Sequence, residues 1–180
     1  MDFSEMKFSL DNAEKGIATR LKQQILNQPD LLVPLVQLAV SDEKPASWRA
    51  AWVMNHIAKE NKELIKPYIK DILSGFSKVT HENQKASLIR ILSYYEPELE
   101  GYGDIVDECL QILSKPTDRP FVKSYSLDFL RKICDAEPEL KREIALAIEE
   151  YGPSFETNYL SRKANKMVKE LRKGMVDIDY

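Results

Sequence analysis

Two histidines, two cysteines and two tryptophans are the side chains of this 180-residue chain best suited to chemistry. Their spacing supports little of it. His56 follows Trp52 by four residues, which puts both on one helical face, and His81 stands at the start of another periodic stretch. A metal centre needs several His, Cys or carboxylate ligands brought together at short spacing, and no such cluster is legible. A nucleophile needs a base within hydrogen-bond reach, and none is paired here by spacing. Cys109 and Cys134 each lie among apolar residues at helical intervals, as buried reduced thiols do. Gly101 and Gly103 form a Gly-x-Gly, but a phosphate-cradling loop also needs a preceding strand and a third glycine. No catalytic residue, metal or cofactor is expected.

The elements that would position these residues are helices. Apolar residues recur at three and four, as in Ile17, Leu21, Ile25 and in Ile65, Ile69, Ile72, Phe76, with no sustained alternation at two. Helices are predicted over 12–27, 29–41, 46–60, 62–77, 82–95, 103–114, 119–135, 137–150 and 155–173. Pro29, Pro97 and Pro138 suit a first helical turn, where a missing N–H costs nothing. Thr80 and Ser154 are read as N-caps. Connections this short force neighbouring helices to pack antiparallel.

The balance of charge excludes a general polyanion binder. Net charge is −3, whereas affinity for nucleic acid rests on clustered Lys and Arg. The first ten residues carry Asp2 and Glu5 and no apolar run behind basic residues, unlike a secretory leader. The most apolar stretch, Leu31 to Val40, is too short to span a bilayer. A cytoplasmic setting is expected, with one domain over 1–174 and a mobile tail over 175–180.

A short phrase returns along the chain: basic residue, small residue, two positions, apolar residue. It reads Arg49-Ala50…Val53, Lys85-Ala86…Ile89, Lys123-Ser124…Leu127 and Lys163-Ala164…Met167. A second phrase is interleaved with it, in Pro29-Asp30-Leu31, Lys62-Glu63-Leu64, Pro97-Glu98-Leu99 and Pro138-Glu139-Leu140. Two phrases sharing one period of this length indicate stacked helical hairpins, each sealing the apolar flank of the next.

Between Ser41 and Ile57 the phrase becomes nameable. Asp42, Pro45, Trp48, Arg49, Ala50, Ala51, Met54 and Ile57 fill the places of the first helix of a HEAT repeat, which this stretch resembles. Asp118, Pro120 and Lys123 repeat part of it. The resemblance implies an all-α fold, an α-α superhelix of about four helical-hairpin repeats plus a C-terminal helix. It also implies that Asp42, Arg49, Lys85, Lys123 and Lys163 form a structural ladder between repeats, and that the second helices line a concave face. By subtraction from the apolar stripes, Lys66, Lys70, Asp71, Asp107, Glu108, Gln111, Arg142 and Glu143 fall on that face and are the expected partner-binding residues. The expected function is capture of a protein or peptide by a monomer or weak homodimer. The alternative is a DNA-lesion enzyme resembling the HEAT-like alkylpurine glycosylases, for which Trp48, Trp52 and Asp42 would supply aromatics and a carboxylate.

Further surface features remain. Tyr94, Tyr95 and Tyr102 are read as a possible aromatic rim beside a stretch, Ile91 to Ser114, that lacks Lys and Arg. Arg162, Lys163, Lys166, Lys169, Arg172 and Lys173 form the opposite block near the end, a pattern that steers and orients a charged partner. Phe3, Met6, Phe8 and Leu10 are placed to cover the first repeat or to pair with a second copy.

Overall fold

The computed structural model describes residues 1–12, 16–97, 101–117 and 119–173. It is all-α and, among these residues, contains no strand. The described residues fall into two compact units: one runs from Met1 to Tyr95 and takes in Tyr102, the other holds Glu96 and continues from Gly103. Asp118, Glu98, Glu100 and the expected tail over 175–180 lie outside the described residues.

The first unit opens with a helix that the spacing of apolar residues did not reveal. Helix α1, Phe3–Asp11, is set by a capping box. Asp2 Oδ1 accepts from the Glu5 N–H and Glu5 Oε2 accepts from the Asp2 N–H, both at 2.9 Å. It buries Met6 and Leu10 against α3, Leu32–Ala39, and α4, Ala46–Glu60. It therefore covers the first repeat with those two residues, while Phe8 stays 70% exposed. Between them runs α2, Ile17–Asn27, entered from Gly16 at φ 92°, a left-handed backbone that favours glycine.

The stretch expected as one helix over 62–77 is broken. Pro67 has no N–H to continue the ladder, so α5, Lys62–Ile65, passes through a 3-10 turn at Lys66–Tyr68 into α6, Ile69–Phe76. Pro29 and Pro138 open similar 3-10 turns, as expected of first-turn prolines. Pro97 is not itself helical: it follows the turn after α7. The first unit closes with α7, Glu82–Leu92.

The second unit holds α8, Tyr102–Ser114, apart from its first residue, then α9, Pro120–Ala136, α10, Lys141–Tyr151, and α11, Asn158–Arg172. Two caps differ from expectation. Helix α7 begins after His81, leaving Thr80 one residue too early to cap it. Helix α11 is capped by Thr157, whose hydroxyl accepts from the Leu160 N–H at 3.2 Å, while Ser154 Oγ bonds back to the Tyr151 carbonyl. Helix α11 starts three residues later than expected and its cap moved with it, whereas α7 starts at Glu82 as expected and is entered from His81.

Candidate binding face on the second helices

Helix α3 has almost no polar residue to mark a face. Leu32, Leu35, Val36, Leu38 and Ala39 are buried, whereas Val33 is 47% exposed and Gln37 is exposed. Helix α6 buries Ile69, Ile72, Gly75 and Phe76 and turns Lys70, Asp71 and Ser74 outward. The two approach closely because position 75 is glycine: a Cβ there would sit 2.6 Å from Val40 Cβ. Side by side they frame an open cleft of about 340 Å³. Val33, Val36, Val40 and Tyr68 supply its apolar lining, and Gln37, Asp71, Ser74 and Lys78 its polar groups. An apolar floor with a few convergent polar groups is the usual form of a recognition site.

Of the residues expected on the binding face, Asp71 lines this cleft, and Lys66 and Lys70 are exposed on the same segment outside the lining. In the second unit, Asp107 and Gln111 are exposed on α8, and Arg142 and Glu143 are exposed on α10. Glu108 is half-buried rather than fully turned to solvent. Sequence reasoning missed Val33, Gln37, Val40, Tyr68, Ser74 and Lys78. The spacing of Val33, Gln37 and Val40 was a usable signal, but the apolar run around them hid which side faced out.

Arg49, Lys163 and Lys123, three of the expected ladder residues, each tether a neighbouring segment in their own way. Arg49 Nη1 donates to the Leu10 and Asp11 carbonyls at 2.6 and 3.1 Å, satisfying acceptors at the end of α1. Lys163 reaches from α11 to α9, donating to the Ser124 carbonyl and hydroxyl at 2.9 and 2.8 Å and pairing with Asp128 at 2.7 Å. Lys123 is 1% exposed and donates to Glu156 at 2.7 Å, with its ammonium 4.9 Å from the Phe155 ring centroid. Burial pushes the Glu156 carboxyl up, but the Lys123 ammonium and backbone N–H groups outweigh that and hold it below the usual range. Lys85 is half-buried on α7 beside Gln84, which is fully buried. Asp42 does not share a partner with Arg49: it accepts from Lys44 at 3.0 Å and from Thr80 at 2.9 Å. Those two bonds, Lys44 first, hold its pKa below the ordinary value.

The aromatic and thiol groups are arranged for packing. Trp48 stacks on His81 at 5.8 Å, with the Arg49 guanidinium 5.4 Å from its ring. Trp52 meets His56 edge-on at 4.4 Å and is 43% exposed. Burial, with Lys22 and Lys59 nearby, lowers the His56 pKa and keeps the imidazole neutral at physiological pH. Tyr95 and Tyr102 are buried, so they do not form the expected rim; Tyr95 donates to the Lys62 carbonyl at 2.7 Å. Cys109 and Cys134 are free and buried, and burial pushes the Cys134 thiol up to about 11. Among the described residues no group of His, Cys, Asp and Glu converges as metal ligands would, and no helix is long and apolar enough to cross a membrane.

A family model described as "HEAT repeat domain" matches residues 7–173. Neither the comparison with curated proteins nor that with solved structures gave a match.

Proposed function

The chain belongs to the HEAT repeat domain family, and from that premise we propose that it is a non-enzymatic scaffold that captures a protein or peptide partner on the face of its second helices. The α3–α6 cleft carries this reading. Stacked hairpins offer extended surface without committing a residue to chemistry, and here that surface contains a recess with both apolar and polar groups. Asp71 is the binding residue assigned with most support; Lys66, Lys70, Asp107, Glu108, Gln111, Arg142 and Glu143 extend the same assignment. The polar tethers at Arg49, Lys123 and Lys163 are scaffold parts. A cytoplasmic protein with protein partners fits this reading.

A photo-crosslinking residue at Gln37, compared with one at the exposed Lys59 of α4, tests it. The expected result is a partner adduct from Gln37 that can be identified by mass spectrometry. Its binding as a purified protein should be lost on Val33→Glu and Asp71→Lys. Purified partner bound equally by those variants removes the cleft from the site. The glycosylase alternative is tested by anisotropy against duplex DNA carrying an alkylated purine: steeply salt-dependent binding with release of the base would replace the scaffold reading.

A further inference from the structure

We propose that the solvent face of α11 docks an acidic α-helix of a partner protein. Tyr159, Arg162, Lys166, Lys169 and Lys173 follow one another at intervals of three and four, which places them on a single line along the helix. All five are exposed, Lys166 at 79% of its side chain. The opposite side of the same helix is buried through Leu160, Ala164, Met167, Val168 and Leu171, so this line is its outward face.

The cations on this line stand out because the neighbouring acids serve others. Asp128 pairs with Lys163 at 2.7 Å, and Glu149 takes a two-pronged grip from Arg172 at 2.8 and 2.6 Å. Glu156 is held by Lys123 and Glu170 by Arg131. Glu170 also approaches the line, with its second oxygen 4.0 Å from Lys166. A basic block expected to act as a whole is thus divided. Lys163 and Arg172 serve the fold, while Arg162, Lys166, Lys169 and Lys173 face outward.

The spacing of the four selects the occupant. Steps of four, three and four residues advance roughly 6, 4.5 and 6 Å along the axis. Carboxylates at i, i+4, i+7 and i+11 of another α-helix repeat those steps, so two helices lying side by side meet charge for charge. Duplex nucleic acid carries a charge every ~1.7 Å, and a chain of net −3 opposes its approach. A lipid surface would need apolar anchors as well as cations, and the line offers only Tyr159. No residue of this line lines the α3–α6 cleft, and the inference does not rest on it.

The test titrates the full chain by fluorescence anisotropy against a labelled synthetic helix with glutamates at i, i+4, i+7 and i+11. Binding is expected at low salt, weakened at least about tenfold by Arg162→Glu, Lys166→Glu and Lys169→Glu together. The neutral triple change to Gln, checked for native helicity by circular dichroism, should weaken it less. Reversal of Lys62 and Lys115, exposed residues outside both surfaces, should leave it unchanged. No binding, or equal binding by the native-folded triple variants, overturns the inference. So does equal binding of a scrambled peptide of the same composition, or tighter binding of duplex DNA or phosphatidylserine vesicles to the same residues. Binding that emerges only after Asp177→Asn and Asp179→Asn would make the chain's own last residues the occupant, and would overturn it too.

Discussion

Ser47 donates to Gln84 Oε1 at 3.1 Å, and both side chains are fully buried. The amide nitrogen of Gln84 in turn donates to the Ala39 and Ser41 carbonyls at 2.9 and 2.7 Å. One side chain on α7 therefore closes the end of α3 and fixes the start of α4. Removing it strands buried acceptors, which costs more than a hydrogen bond contributes. Gln84→Leu should destabilise the chain by about 3 kcal/mol and Ser47→Ala by about 1 kcal/mol in urea unfolding. Equal small losses would show that the joint is dispensable.

Gly75 sets the separation of α3 from α6. Gly75→Ala should cost about 1–3 kcal/mol, because the new methyl meets the Val40 side chain. Val40→Ala in the same chain should recover only part of that loss, because alanine keeps the Cβ that makes the closest contact, at 2.6 Å. A double-mutant cycle without coupling would mean that the two helices yield freely.

Lys123 and Glu156 are an unequal pair, one buried and the other partly exposed. Glu156→Gln leaves a buried ammonium without its counter-charge and should cost about 3 kcal/mol, whereas Lys123→Met should cost under about 1 kcal/mol. The Glu156 carboxyl lies below its ordinary value of 4.5, so its contribution is complete above that pH and fades as acid protonates the folded state. Acid unfolding of the Gln variant should lose this part of its pH dependence. An unaltered acid limb would sink the assignment.

Arg49 ties α4 to the end of α1 through two carbonyls. Arg49→Ala should raise amide exchange in α1 about tenfold or more, with little change in the second unit. Uniform exchange throughout would show that α1 is held by Met6 and Leu10 alone.

Cys109 and Cys134 should resist iodoacetamide at neutral pH and react only as the chain unfolds, since burial raises both thiols away from the reactive thiolate. Rapid labelling of native protein would contradict the packing around them.

Helix periodicity was enough to read the architecture, because apolar intervals of three and four survive in nearly every element. Its failures have local causes. Helix α1 escaped notice because its start depends on the Asp2–Glu5 capping box rather than on a long apolar stripe. Pro67 interrupts a stripe that continues on both sides of it, so periodicity alone merged α5 and α6. The candidate face was half legible. Asp71 was recoverable as a polar position off the stripe, but Val33 and Gly75 matter through what lies opposite them, which one helix cannot disclose. The tethers also divide by geometry: Arg49 and Lys163 reach back along the chain, whereas Lys123 finds its acid ahead.

The polar joints share one further property. Arg49 reaches Leu10 across 39 residues, Ser47 meets Gln84 across 37, and Lys163 reaches Ser124 across 39. Each of these loops closes within about one hairpin's length, so none of the three joints has to wait for distant ends to find one another. Such a chain can consolidate by accretion, each new pair of helices using the last as its template, and a break at one joint should slow growth there without erasing what has already formed.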